Sequence, residues 1–198
     1  MGYLTKKILM IAGPNGAGKT TMTLELIQSC SILYEFVNAD EIARGLAPKH
    51  PESMALLASK LMIKRVKELL DAEKSFAFET TASGINYVRH LKAAKAKGYE
   101  TNLTFLWLSK PEEAVKRVAQ RVKQGGHHVP EAAIIRRYYS GIKNLINYYL
   151  PLVDEALIVN NSSEESSKRL IARKTKQNPI TILDSSIWKK IMETANEG

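Results

Sequence analysis

The 198-residue sequence predicts an α/β fold in which a mostly parallel sheet lies between helices, giving three layers. Two observations support this prediction. Short apolar runs alternate with segments of helical periodicity along most of the chain. A glycine-rich loop, Gly13–Thr20, follows the first apolar run and precedes the first helical segment. Ligands of open α/β sheets bind beyond the carboxyl ends of the strands, so we expect the functional site there.

The first half of the chain contains three predicted strands and four predicted helical segments. The strands cover 6–12, 35–38 and 75–78. The helical segments cover 20–29, 41–46, 51–72 and 85–97. In the long segment 51–72, apolar residues such as Met54, Leu57 and Val66 recur near helical spacing. Gly98 follows the last segment as a C-cap glycine, which predicts that this helix ends there.

The second half contains two more strands, over 102–108 and 156–159, with two helices between them. The first helix begins at Pro111, a residue favoured at the first helical position, and residues 124–130 interrupt the pattern. The second helix covers 131–149 and is predicted to end at Pro151. We expect these helices and the break between them to form a helical lid.

The last part of the chain predicts a small extension of the domain. Two strand-like pieces, over 169–172 and 180–183, precede a short helix around 188–192. We interpret them as an accessory hairpin and helix packed on the domain. The sequence therefore predicts a single domain over 1–198, with a core of about 5–160 and an accessory tail of about 161–198.

Composition narrows the class of protein and its partners. The sequence is 44% apolar, and its only cysteine, Cys30, excludes an intramolecular disulfide and suits the reducing cytoplasm, with a packing role for this residue. The apolar runs are too short to span a membrane. The net charge of +9 fits a basic surface or an anionic ligand. Basic residues are spread along the chain without an aromatic-interleaved stripe, so nucleic acid is the less favoured partner.

The glycine-rich loop is a phosphate-binding motif. It reads Gly13-Pro14-Asn15-Gly16-Ala17-Gly18-Lys19-Thr20, followed by Thr21, and fits G-x-x-x-x-G-K-[ST] at every specified position. Its backbone N–H groups and the start of the following helix suit phosphate oxygens. Lys19 is expected to reach the β- and γ-phosphates, and the Thr20 hydroxyl to bind Mg²⁺. ATP is the expected nucleotide, with GTP left open.

The rest of the sequence excludes two large classes of nucleotide-binding protein. A transport ATPase would need an acidic pair after an apolar strand, but strand 103–108 is followed by Ser109-Lys110 and strand 157–159 by Asn160-Asn161. A switch GTPase would need Asn-Lys-x-Asp, which the chain lacks. A small P-loop kinase remains, which needs a carboxylate near the acceptor hydroxyl and cations over the phosphates.

Candidate carboxylates follow the second and third strands. Asp40 is our candidate for the base that accepts the acceptor proton, and it could also contact Mg²⁺ through water; the alternative is an N-cap for 41–46. Glu79 is the candidate for a substrate-hydroxyl or metal-shell contact. Thr80 and Thr81 are either substrate contacts or ordinary turn hydroxyls.

Candidate cations flank the break between the two later helices. They are Arg117, Arg121, Lys123, Arg136 and Arg137, on either side of Gly125-Gly126. A glycine hinge with arginines is what a lid over a transferring phosphoryl group needs. Arg121 ranks first because it is nearest the hinge. Arg136 and Arg137 are about 100° apart around a helix, so only one should face the site. We interpret His127 and His128 as turn residues of the lid, because no metal-ligand partners stand near them in the sequence.

Together these motifs resemble the zeta-toxin family of P-loop kinases. The similar segments are Gly13–Thr21, Asn38–Ala43, Phe78–Gly84, Gly98-Tyr99, Arg117–Arg121 and Gly125–Pro130. They cover roughly residues 5–160, and the tail around 180–191 is similar to that of the family's cytoplasmic members. The resemblance implies phosphorylation of the amino-sugar 3′-hydroxyl of UDP-N-acetylglucosamine, which blocks cell-wall precursor synthesis. It also implies a small antitoxin protein that occupies the nucleotide site.

The resemblance assigns roles residue by residue. The family's phosphate-binding lysine and threonine correspond to Lys19 and Thr20, its base to Asp40 and its strand-end glutamate to Glu79. Its first lid arginine matches Arg117 or Arg121, and its second falls near 126–137 without a unique counterpart. Two alternatives stay open at this stage: a kinase for another hydroxyl, of a nucleoside, sugar or nucleic-acid end, and a nucleotide-gated binding protein with weak ATPase activity.

Overall fold

A computed structural model describes residues 5–29, 35–162 and 169–197, and its centre is a seven-stranded sheet. The strands are β1 Lys7–Ala12, β2 Glu35–Val37, β3 Phe76–Thr80, β4 Glu100–Trp107, β5 Glu155–Asn160, β6 Arg169–Lys174 and β7 Thr181–Ile182. Their order across the sheet is β2-β3-β1-β4-β5-β6-β7. The first five are parallel, and β6 and β7 are antiparallel to their neighbours. The predicted fold class is thus confirmed.

The helices complete the layers around the sheet. They are α1 Lys19–Ser29, α2 Ala39–Leu46, α3 Ala55–Asp71, α4 Asn86–Ala96, α5 Pro111–Lys123, α6 Glu131–Asn144, α7 Leu150–Leu152 and α8 Ser185–Glu197. Strand β1 lies between β3 and β4, and its residues Met10, Ile11 and Ala12 are fully buried because helices cover both faces. Strands β2 and β3 lie on one side of β1, and β4 and β5 lie on the other, so the strand order changes direction at β1. The phosphate loop therefore opens at the topological switch point of the sheet, which is where ligands of such sheets bind.

Several predicted helix boundaries were wrong. The segment predicted as one helix over 51–72 begins with a 3₁₀ turn, Pro51–Met54, before α3, and Leu57 is exposed on that helix. Pro151 does not end the helix begun at Glu131: α6 passes into a π-helical turn, Leu145–Tyr149, and then into α7. Pro151 has no N–H to donate, and it directly follows the π-helical turn, where the Leu150 N–H donates to the Leu145 carbonyl five residues back.

The C-terminal extension belongs to the main sheet. Strand β6 pairs antiparallel with β5, and α8 packs against α6 and β6. Helix α8 is longer than the predicted 188–192 because Asp184 accepts the Ile187 N–H at 3.0 Å, and the buried Ile187, Ile191 and Ala195 lie one turn apart.

Two further expectations concern local sequence signals. The Gly98 C-cap is confirmed: its φ is +77°, and its N–H donates to the Lys95 carbonyl at 3.0 Å. Cys30 lies outside the described residues, so its predicted packing role stays a prediction. Across the described ranges, no helix has the length and apolar character needed to cross a bilayer.

Candidate active site

The phosphate loop has the backbone conformation that its glycines predict. It joins β1 to α1, and Gly13, Gly16 and Gly18 all have positive φ. At Gly13 a Cβ would collide with the Leu106 carbonyl of β4, so the loop begins against the neighbouring strand. Only glycine combines this conformation with this close approach. The sequence of the loop therefore fixes both its curvature and its position on the sheet.

Side chains from distant parts of the chain hold the loop in place. Asn161, directly after β5, donates from Nδ2 to the Ala17 carbonyl at 2.8 Å. Arg117 donates from Nη2 to the Asn161 carbonyl at 2.7 Å and forms an ion pair with Glu113 at 2.8 Å. Arg117 also reaches the Gly16 carbonyl at 3.4 Å. Arg117 therefore supports the loop, whereas Arg121, the alternative match to the family's lid arginine, lies closer to Asp40.

The loop lysine folds back onto the loop itself. Lys19 Nζ donates to the Pro14 carbonyl at 2.9 Å. Burial lowers the pKa of Lys19, while the charges of Glu79 and Asp40 act in the opposite direction. A phosphate group at the loop would offer this ammonium a stronger, charged acceptor than the carbonyl.

Glu79 is the centre of a buried hydrogen-bond network beneath the loop. It lies within β3, one residue before the strand ends, and is only 7% exposed. Thr20 and Asn38 donate to its Oε2 at 3.1 and 3.0 Å, and Thr23 lies 2.9 Å from its Oε1. Burial raises the pKa of Glu79, and the nearby charge of Lys19 lowers it in part. The carboxylate thus lies directly behind the hydroxyl of Thr20, the predicted Mg²⁺ ligand.

Asp40 lies in the first turn of α2 and is not its N-cap. Asn38 is the N-cap: its Oδ1 accepts the Asp40 N–H at 2.8 Å. The alternative role for Asp40 as a cap was therefore wrong, because α2 begins two residues earlier than the predicted 41–46. The Asp40 side chain is 46% exposed, and its Oδ2 lies 3.9 Å from Arg121 Nη1. Its carboxylate is accessible and faces a cation.

The break between α5 and α6 folds back over Arg121. Arg121 Nη2 donates to the His127 carbonyl at 2.9 Å, and the Gly126 N–H donates to the Arg121 carbonyl at 2.9 Å. A Cβ on Gly126 would lie 2.5 Å from Arg121 Cγ, so the turn packs directly on the arginine stem. The predicted hinge is therefore a support for this arginine in the observed conformation.

The arginine pair of α6 is split as the helical spacing predicts. Arg137 is partly buried and lines the site, whereas Arg136 is exposed and does not. Burial lowers the pKa of Arg137, with a further contribution from the charge of Arg136. Arg137 is therefore the member of the pair that is positioned to contact a ligand.

Two adjoining cavities meet at Lys19 and Asp40. The first, which we call the phosphate cavity, measures about 260 Å³ and is lined by Asn15, Gly16, Gly18, Lys19, Thr20, Thr21, Asp40, Glu79, Arg117 and Arg121. The second, the acceptor cavity, measures about 280 Å³. It extends between α2, α3 and α4, and its lining includes Asn38, Asp40, Glu79, Thr80, Thr81, His127 and Arg137. Both cavities share Asn15, Lys19, Asp40 and Glu79.

This arrangement is suited to group transfer between two ligands. One cavity offers a cationic phosphate-binding loop, the other offers polar and apolar walls, and a carboxylate stands at their junction. Oxygen atoms for a hard divalent cation come from Thr20, Asp40 and Glu79. Within the described parts of the chain, no three His, Cys, Asp or Glu residues form a metal-binding group.

Comparison with known proteins establishes the family. A model of the AAA domain matches residues 8–138, which is more than half of the chain. The chain belongs to the AAA domain family. This AAA domain protein is 27% identical, over 135 residues, to an uncharacterized protein of Haemophilus influenzae; the alignment covers 68% of this chain and 94% of that protein.

Solved structures share the fold of this AAA domain protein. A chain of the AvrRxo1-ORF1:ORF2 complex with ATP has a TM-score of 0.76 at 15% identity, covering 94% of this chain and 63% of that chain. The PezAT chromosomal toxin-antitoxin system of Streptococcus pneumoniae has a TM-score of 0.60 at 15% identity, covering 100% of this chain and 87% of that chain. The protein therefore has a P-loop kinase-like fold, and it spans less than two thirds of the AvrRxo1 chain.

Sequence reasoning missed several residues that complete the site. Thr23 and Asn38 hold Glu79, and Asn161 holds the phosphate loop. Asn38 carried a usable signal, since asparagine before a helical segment is a strong N-cap. Asn161 carried none, because its contact with Ala17 joins residues 144 positions apart.

Proposed function

We propose that the protein is an ATP- and Mg²⁺-dependent kinase that transfers the γ-phosphate to a hydroxyl of a small molecule. The observation that carries this proposal is the position of Asp40. It lines the phosphate cavity and the acceptor cavity together with Lys19, and its carboxylate is accessible at their junction. A base at that position is within reach of an acceptor hydroxyl and of a phosphoryl group held by the loop.

Each residue around the junction of the two cavities has a separate role in the proposed phosphoryl transfer. Lys19 leaves the Pro14 carbonyl and holds the β- and γ-phosphates in our proposal, while the loop N–H groups surround them. Asp40 accepts the proton of the acceptor hydroxyl as that oxygen attacks the γ-phosphorus and the bond to the leaving oxygen breaks. Arg121 stands beside Asp40, where a cation stabilises negative charge that develops during transfer, and Arg137 supplies a second cation from the acceptor side.

The site offers oxygen ligands that fit Mg²⁺. Thr20 and Asp40 would hold the cation together with nucleotide phosphates, and Glu79 would act behind Thr20, to which it is hydrogen-bonded. Bound Mg²⁺ neutralises phosphate charge and lowers the barrier to attack. The hydrogen bond that Thr20 donates to Glu79 at 3.1 Å would leave the lone pairs of its hydroxyl oxygen available to the cation.

The acceptor we propose first is UDP-N-acetylglucosamine or a related nucleotide sugar. The support is the resemblance to zeta toxins, together with the likeness of the fold to the PezAT toxin-antitoxin system. On the same ground we propose a small antitoxin protein as a partner of this chain. In such a pair the antitoxin would cover the phosphate cavity and exclude the nucleotide.

In the decisive experiment the protein is incubated with Mg²⁺, either ATP or GTP, and a panel of sugars, nucleosides and nucleotide sugars. The products are identified by mass spectrometry. A product about 80 Da heavier than UDP-N-acetylglucosamine, the mass that one transferred phosphoryl group adds, would support the proposal. Lys19→Ala and Asp40→Asn are the controls, and both should abolish the product. ATP hydrolysis without any phosphorylated acceptor would instead favour the nucleotide-gated binding protein.

A further inference from the structure

His127 lies in the turn between α5 and α6 and forms part of the wall of the acceptor cavity. Its backbone carbonyl accepts from Arg121 Nη2 at 2.9 Å. Across the described ranges neither ring nitrogen of its imidazole has a hydrogen-bond partner, and Nδ1 is buried without one. The neighbouring His128 is exposed and does not line the cavity.

A buried polar atom without a partner is unusual in a folded protein. Most such atoms are hydrogen-bonded, and leaving one unpaired opposes folding. The ring of His127 is half-buried at a cavity and can change its orientation by rotation about its side-chain bonds while its carbonyl continues to hold Arg121. The imidazole is therefore available to a ligand without loss of the contact that positions the arginine.

The chemistry of the cavity defines what kind of ligand group would meet this imidazole. Among the described residues, the charged side chains of the lining are Lys19, Asp40, Glu79 and Arg137, apart from His127 itself. The rest of the wall is small, apolar or neutral and polar, from residues such as Ala43, Ser59, Met62, Ser83, Asn86 and Tyr87. This wall suits an uncharged ring that carries hydrogen-bonding groups and has one apolar face.

We propose that His127 is an acceptor-binding and specificity-determining residue, whose imidazole hydrogen-bonds a neutral hydroxyl or amide group of a sugar-like acceptor. This inference rests on the proposed function and adds a substrate contact from the lid. Because the same turn supports Arg121, acceptor contact at His127 and the placement of the arginine depend on one short segment.

The kinetic test compares His127→Leu, which removes both nitrogens, with His127→Gln, which retains a hydrogen-bonding group. His128→Leu is the matched control from the adjacent, exposed position. We expect His127→Leu to lower kcat/KM for the acceptor by about tenfold, the effect of one net hydrogen bond, with KM for ATP changed by less than about twofold. His127→Gln should recover part of the loss, and His128→Leu should behave as wild type. Equal kinetics for His127→Leu and His128→Leu would overturn the proposal.

A second measurement separates this inference from the proposed kinase activity. The imidazole ¹⁵N resonances of His127, assigned by their absence in His127→Gln, are followed while UDP-N-acetylglucosamine, N-acetylglucosamine or uridine is added. A shift for one probe at His127 and none at His128 supports the contact even if no product forms, in which case only the kinase proposal fails. No shift with any probe overturns the contact, whether or not the protein phosphorylates one of them.

Discussion

Replacement of Glu79 should separate the stability of the site from its chemistry. In Glu79→Gln the amide keeps the shape of the carboxylate and removes its charge. Thr23 has one hydroxyl proton but lies 2.9 Å from both the Lys19 carbonyl and Glu79 Oε1. With an amide Nε2 in place of Oε1, the glutamine would donate to the Thr23 hydroxyl, and Thr23 could then donate to the Lys19 carbonyl. The amide oxygen would accept from Asn38 and Thr20, as the carboxylate does. Each hydrogen bond that Glu79 accepts therefore has a counterpart with glutamine.

The size of the stability loss follows from the hydrogen-bond donors that each variant leaves without an acceptor. Glu79→Ala removes the acceptor of the buried Asn38 Nδ2, which costs about 1–3 kcal/mol, and leaves a cavity beneath the phosphate loop. We therefore expect a loss of about 3 kcal/mol, and a decrease in Tm of about 6–12 °C for a domain of this size. Glu79→Gln should stay within about 1 kcal/mol of wild type. Its kcat/KM should nevertheless fall by about 10–100-fold, because the charge behind Thr20 is lost.

The raised pKa of Glu79 predicts how the stability of the fold changes with pH. Burial raises the pKa of Glu79 in the folded protein, so the folded state keeps this proton at pH values where the unfolded chain has lost it. Stability from this group is therefore fully present at low pH and falls as pH rises through the folded-state pKa. The amide introduced by Glu79→Gln would not titrate, so Tm of this variant relative to wild type should increase across the same range.

The Tm of wild type and both variants is measured by circular dichroism without nucleotide. The measurements run from pH 4 to 8, a working range that starts near the ordinary carboxyl pKa of about 4.3. Turnover is measured separately on the acceptor found in the product screen. The reasoning is refuted if Glu79→Gln loses as much stability as Glu79→Ala, or if the difference between Glu79→Gln and wild type does not change with pH.

Three further predictions concern the junction and the lid. Asp40→Asn should lower kcat by at least about 100-fold with little change in ATP affinity by calorimetry, since an amide is a poor base; wild-type turnover would exclude Asp40 as the base. Arg137→Ala should lower turnover more than Arg136→Ala, because only Arg137 lines the acceptor cavity, and equal effects in steady-state assays would contradict this. Gly126→Ala should lower kcat, because the new Cβ would lie only 2.5 Å from Arg121 Cγ and displace that side chain. Gly45→Ala is the control: its Cβ meets nothing within 4 Å, so kcat should be unchanged.

The sequence predicted the strands and the phosphate loop better than the helix ends. The mostly apolar run 102–108 corresponds to β4, because a strand covered on both faces is largely apolar. The helix ends depended on weaker signals. Pro151 was predicted to end a helix, but the helical path continues through a π-helical turn, Leu145–Tyr149, and into α7, which contains this proline.

The sequence by itself determined the phosphate loop, because glycine spacing and the Lys19-Thr20 pair constrain the backbone locally. It also placed Asp40 and Glu79 at the same edge of the sheet as the loop, because parallel strands bring their carboxyl ends to one edge. Only the tertiary structure distinguished Arg117, which holds the loop, from Arg121, which faces Asp40. The two arginines are one helical turn apart and chemically identical, so their roles depend on contacts with distant segments that no local pattern records.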